Sequence, residues 1–303
     1  MKTTLPPKTE PCAEHLQNIV DSIRESVEED LAMIILFGSY ARGDWSDTFV
    51  QTESWLLHYQ SDIDILVLMA NEKWDIPVKG DALESIIDRR LGRQGLSGDP
   101  HAPPVQLIVQ SIQHVNKRLE RGHYFFSDIN KEGVMLYDSG EFTFAERRVL
   151  GAKELQRCAQ EEYDYWFGSA GEFLEQFDHA VQKGFNALAA FELHQATERC
   201  YAAIWLVFWD YKPKTHDLEK LAKRAESFDP RFATAFPQTT DEEKRLYKLL
   251  LKAYIDARCK PSYKITREEL EYLGGRVRIL HSLTEQLCLE KIDDLFPEGQ
   301  GED

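Results

Sequence analysis

Long apolar runs are missing from this sequence. No uninterrupted stretch in its 303 residues approaches the ~18 needed to cross a bilayer, so no membrane span is expected. The opening MKTTLPPKTEPC carries charge but no apolar core, so no signal peptide is expected. Cysteine is scarce. The five present, Cys12, Cys158, Cys200, Cys259 and Cys288, are odd in number and contain no C-x-x-C pair. That argues against a disulfide framework or a zinc site and fits a reducing, cytoplasmic location. Positive charge is in deficit: 36 Lys and Arg face 52 Asp and Glu, a formal net charge of −16. A nucleic-acid partner would therefore need a local basic cleft. Internal repeats and low-complexity segments are also absent. What remains is an ordinary globular composition, 43% hydrophobic and 29% charged, in a chain long enough for two cores.

The hydrophobic pattern changes part-way along. Leu16, Ile19, Val20, Ile23, Val27 and Leu31 repeat at helical spacing, predicting a helix over 14–31. Met33–Phe37, Ile63–Leu68 and Val105–Val109 are short apolar runs of the kind expected from strands buried on both faces. Asp81–Leu91 and Ser111–Arg121 read as helices, and Val134–Tyr137 as a fourth strand. This alternation predicts an α/β domain over 14–140. From about residue 145 to 292 only helical patterns remain: roughly 145–181 with a break at Gly168 to Gly171, then Phe185–Phe208, then His216–Ala225. Two later helices are announced by the capping-box pairs Thr240/Glu243 and Thr266/Glu269. The second domain is thus expected to be an all-α antiparallel bundle of about five helices.

Chemistry concentrates in LFGSYARGD and the later SDIDILVLM. Gly38, directly after a buried strand, lets a ligand approach the backbone because no Cβ intervenes. Ser39 offers a hydroxyl and an amide at an expected helix start, where phosphate is favoured. Arg42 stands one turn further on, within reach of a phosphate oxygen or a nearby carboxylate, and Gly43 suits a helix stop. Asp62 and Asp64 lie two apart in an expected strand and so share a face. Two adjacent carboxylates at the start of a buried strand repel each other unless a cation lies between them. Mg²⁺ fits, with phosphate oxygens and water completing its ligands.

GSYARG followed by SDIDILV resembles the DNA polymerase β-type superfamily, specifically its minimal nucleotidyltransferase branch, over residues 14–138. The resemblance implies transfer of a nucleoside monophosphate from ATP or another NTP to a hydroxyl, with Mg²⁺ or Mn²⁺. Gly38 and Ser39, with Arg42 beside them, would hold the triphosphate; Asp62 and Asp64 would hold metal and carry catalysis. Two departures stand out. The interval from Ser39 to Asp62 is long, and its extra segment contains Trp45, Trp55 and Tyr59. The family commonly has a third carboxylate on a later strand, where PVQLIV places Gln106, a neutral amide that cannot act as a general base.

Residues 145–292 resemble HEPN domains through the early amphipathic helices, PKTHDLEKL and AYIDARCKPSYKI. Many HEPN ribonucleases carry Arg-x(4–6)-His near the last of these. Arg258 is present, but Tyr263 stands where the histidine is sought, and a tyrosine is a poor acid–base group near neutral pH. His216 reads as a helix-start residue, and His194 and His281 as packing residues.

The reading is therefore an α/β nucleotidyltransferase domain followed by a HEPN-like bundle that helps form the acceptor site. The enzyme would act on a protein, an RNA end or a small molecule. By resemblance to HEPN pairs, the chain is expected to form a homodimer through the bundle. The alternative is a nucleotide-binding regulator or a toxin–antitoxin-type fusion with weak or lost turnover.

Overall fold

A computed structural model describes residues 1–51, 56–75, 105–213 and 215–295, with scattered positions between 79 and 103. The chain divides into two compact units, Met1–Val149 and Leu150–Asp303.

The first unit is built on a four-stranded mixed sheet. Helix α1 (Ala13–Val27) lays the predicted apolar stripe on the core. A single 3-10 turn, Glu28–Asp30, then frees Leu31 to begin strand β1 (Leu31–Phe37), so Leu31 belongs to the strand and not to the helix. A five-residue helix α2 (Gly38–Arg42) follows at once. Strands β2 (Asp47–Gln51) and β3 (Leu56–Gln60) form an antiparallel hairpin of their own out of the extra segment. Strand β4 (Ile63–Met69) is next. Strand β5 (Val105–Ser111), helices α3 (Ile112–Glu120) and α4 (Tyr124–Glu132), and strand β6 (Val134–Asp138) complete the unit. The sheet order is β5-β4-β1-β6, with β1 antiparallel to both neighbours and β4 parallel to β5. Every residue of β1 and β4 is buried, as their unbroken apolar runs require. The helix expected at Asp81–Leu91 lies largely outside the described residues; 82–83 and 85–87 are helical, with Leu83 and Ile87 in the core. Helix α4 is an addition to the sequence reading.

Among the described residues the second unit holds helices and no strand. Helix α5 (Ala152–Lys183) runs unbroken through Gly168 and Gly171, against the expected break. Helix α6 (Asn186–Trp209) packs against α5, α7 (Leu218–Phe228), α8 (Asp241–Cys259) and α9 (Arg267–Leu295). It can do so because it is apolar almost all round, with fourteen buried residues. Both capping boxes form. Thr240 Oγ1 accepts from the Glu243 amide while Glu243 Oε2 accepts from the Thr240 amide, and Thr266 and Glu269 repeat the exchange. Helix α7 starts at Leu218, later than expected, because Asp217 takes the cap and accepts from the Glu219 and Lys220 amides. All five cysteines are free. Among the described residues no helix is long and apolar enough to cross a membrane.

Candidate functional site

In the first unit, the turn from β1 into α2 meets the start of β4. Phe37 is the register partner of Asp64 on the antiparallel neighbour. The next residue, Gly38, has φ +70, in the left-handed region that glycine alone adopts readily. A Cβ on Gly38 would lie 2.3 Å from Asp64 Oδ2. The missing side chain is thus what lets a buried carboxylate stand against the first turn of α2; Asp64 is 3% exposed. Gly43 ends the helix in the left-handed conformation, and its amide donates to Ser39 O at 2.8 Å.

Asp62 precedes β4 by one residue and is half-buried, so the alternation of the strand carries it to the face of Asp64. Its charge is felt by the buried Tyr40 of α2. The Tyr40 phenol is pushed up to about 12, first by burial and then by the charges of Cys12, Asp47 and Asp62. Two bonds at the base of the β2–β3 hairpin hold this arrangement: Ser61 N donates to Ser46 O at 2.8 Å, and Ser46 N donates to Ser61 Oγ at 3.0 Å. The hairpin therefore delivers the chain to Asp62, which gives the extra segment a structural role; Trp55 lies outside the described residues.

An N-terminal strap fixes α2 from outside. Thr9 Oγ1 donates to Tyr40 O at 2.8 Å, Lys2 Nζ donates to Ala41 O at 3.1 Å, and Trp45 stacks on Tyr40 at 5.0 Å. Arg42 is turned outward and paired with Asp44 at 3.0 Å, the carboxylate option of the two read from the sequence. Gln106 is the parallel register partner of Asp64, so the amide does stand on the strand beside the acid. Among the described residues no group of three or more His, Cys, Asp or Glu gathers as a metal cluster. A cation held here would have two carboxylate ligands, Asp62 and Asp64, and take the rest of its shell from phosphate and water, a donor set suited to Mg²⁺.

In the second unit, Arg258 and Tyr263 have separate fates. Tyr263 donates its hydroxyl to Leu249 O at 3.0 Å, and burial raises its phenol far above the usual range. It is a structural latch. Arg258 is exposed, its Nε donating to Tyr254 O at 2.6 Å and its guanidinium carbon 4.5 Å from the Tyr254 ring. The same ring stacks on His216 at 4.1 Å. His216 Nδ1 lies 2.8 Å from Oε2 of Glu198, a carboxylate that is 5% exposed. His194, fully buried, has its imidazole pushed down to about 4, by burial first and then by the charge of His216. His216 thus lies just before α7, and beyond the helix-start position expected of it, it faces a buried acid. The signal that could have found the pair is Glu198, a charge in the middle of the apolar run of α6, which needs a partner.

A family model described as the HEPN domain matches residues 163–287. No curated protein matches the chain. The matched segment runs from within α5 into α9 and includes Glu198, His216, Arg258 and Tyr263. The helical unit of this chain therefore carries a HEPN domain.

Proposed function

We propose that the first unit is a metal-dependent nucleotidyltransferase, which takes an NTP such as ATP and passes NMP to a hydroxyl on a protein, an RNA end or a small molecule. The observation that carries this reading is the contact of Gly38 with Asp64, a glycine turn after a buried strand set against an acidic pair on the next strand. On this reading Asp62 and Asp64 hold Mg²⁺ or Mn²⁺, and the Gly38–Ser39 turn binds triphosphate. When bound, the metal supplies charge neutralisation at the phosphates. The chain's own part is to fix the two carboxylates on one face and leave the backbone at Gly38 open to close approach.

A second reading, a nucleotide-binding regulator with weak turnover, is favoured by Gln106 at the register position beside Asp64. Incubation with labelled NTP and cell extract, with Mg²⁺ and with Mn²⁺, separates the two. Transfer is expected in wild type and should fall by about 10²–10³-fold in Asp62→Asn and Asp64→Asn, the usual cost of removing one preorganised electrostatic element. Gln106→Asp should raise the rate or leave it unchanged. Tight NTP binding with no transfer by wild type or Gln106→Asp would establish the regulator; unchanged Mg-NTP affinity in both Asp variants would remove the metal assignment.

The homodimer belongs to the same proposal. The helical unit exposes Phe185, Leu188 and Ile255, apolar side chains of the kind an interface would cover. Sedimentation at micromolar concentration checks it, and a monomer would count against it.

A further inference from the structure

Arg199 on α6 and Lys212 just after it are cations that neither reading above uses. The Arg199 guanidinium carbon lies 4.7 Å from the centre of the Trp166 ring on α5 and 5.6 Å from that of Phe173, two turns further along. Lys212 Nζ stands 5.2 Å from the same Trp166 centre. Two positive charges thus share one aromatic floor.

In a chain with 52 Asp and Glu against 36 Lys and Arg, partly buried cations are expected to be matched by acids. Here they are not. Among the described residues neither Arg199 nor Lys212 has a carboxylate within ion-pair distance. The acids at hand are engaged elsewhere: His216 Nδ1 lies 2.8 Å from Glu198 Oε2, and the Trp166 indole donates to Glu162 Oε2 at 3.1 Å. Arg199 Nε is shut off from solvent and has no hydrogen-bond partner. Burial pushes the Lys212 ammonium below its usual range; the charge of Glu198 opposes that shift and the charge of Arg199 adds to it. The ring attracts both cations through its quadrupole, which offsets part of their desolvation. A ring carries no net charge, however, so the two cations still repel each other across it.

What relieves such a pair is an anion whose oxygens replace the lost water. Both charges lie within 5.2 Å of one ring centre, so a ligand of a few atoms spans them. An arginine fork takes two oxygens of a carboxylate or phosphate at once, and a lysine ammonium takes a further oxygen as a point charge. Tyr165, 65% exposed, sets its ring edge-on to Trp166 at 5.3 Å, so the aromatic floor extends to solvent on this side. We propose that Arg199 and Lys212, seated on Trp166, form a binding site on the helical unit for a small dianion, a dicarboxylate or a phosphate that engages both cations. The site needs no metal and is separate from Asp62 and Asp64. It makes and breaks no bond; its occupant stabilises the helical unit by mass action.

The test is calorimetric titration of the full chain, at low salt and with chelator, using succinate, inorganic phosphate and, as a singly charged control, acetate. One dianion per chain is expected to bind, with acetate weaker by ~10-fold or more. Succinate binding more tightly would assign the site to carboxylates, and phosphate binding more tightly would assign it to phosphates. Arg199→Gln and Lys212→Met should each weaken the preferred dianion by ~10-fold or more, the scale of one hydrogen bond to a charged group, and Lys212→Arg should restore most of the loss. Asp64→Asn should bind as wild type, so the outcome does not depend on the nucleotidyltransferase reading. Thermal melts show that each variant is folded, and the dianion should raise the melting temperature of wild type more than that of Arg199→Gln. No saturable binding of either dianion, equal binding of acetate, or wild-type affinity in folded Arg199→Gln and Lys212→Met would each overturn the proposal.

Discussion

One absent methyl group decides the geometry at Gly38. Alanine there would hold a left-handed conformation, costing ~1–2 kcal/mol for an L-residue, and its Cβ would meet Asp64 Oδ2. Gly38→Ala is therefore expected to lower the melting temperature and to weaken Mg-NTP binding together, because the acid must move to make room. Calorimetry with and without Mg-NTP checks both, and a variant that binds as wild type would show that the carboxylate and the turn are not coupled. His194 gives a prediction of pH dependence. Its folded pKa of about 4 lies below the ordinary 6.5, because the buried ring resists charging. Between those values the unfolded chain binds a proton that the folded chain does not, so stability is fully present above about pH 6.5 and is lost as pH falls towards 4. The loss is ~3 kcal/mol at most for this one group. Denaturant melts from pH 7 to 4.5 should show that decline, and His194→Gln should flatten it. His194 is buried, as its reading as a packing residue expects, whereas the pairing of Glu198 with His216 is not legible in the sequence spacing, since the partners are 18 residues apart and meet only when α6 packs.

Glycine in a helix carries opposite meanings at two positions of this bundle. Gly168 lies on the exposed side of α5, and a Cβ there would meet nothing within 4 Å. Its backbone freedom invites the break expected from the sequence, yet packing of α5 along α6 holds the helix continuous. Gly168→Ala should therefore stabilise the protein by about 0.5–1 kcal/mol, by reducing the entropy lost on folding. Gly274 on α9 is buried, and a Cβ there would stand 2.8 Å from Phe177 Cε1 and Cζ on α5. Gly274→Ala should destabilise by about 1–3 kcal/mol, the usual cost of overpacking. Urea melts of the pair test both signs. The capping boxes at Thr240 and Thr266 were readable in advance because a cap is a local exchange of hydrogen bonds over three residues.

At the scale of the molecule, each of the two units has its own buried residues. Residues 150–303 expressed alone should show a helical far-UV spectrum and one cooperative melt. A fragment without cooperative unfolding would show that the helical unit depends on the first 149 residues. What the sequence by itself determined was whatever depends on neighbours along the chain: the buried strands at Met33–Phe37 and Ile63–Leu68, the helix caps, and the switch from alternating strands and helices to helices alone. Apolar periodicity and capping are short-range, so they survive without coordinates. The tertiary structure alone decided which residues meet across the chain. The antiparallel register of β1 and β4 sets Gly38 against Asp64, and the parallel register of β4 and β5 sets Gln106 beside it. The packing of α6 with α8 and the loop before α7 gathers Glu198, His216, Tyr254 and Arg258. Such meetings depend on strand register and helix rotation, which follow from the shape of the whole core, and a one-residue slip in either would turn the same side chains to opposite faces.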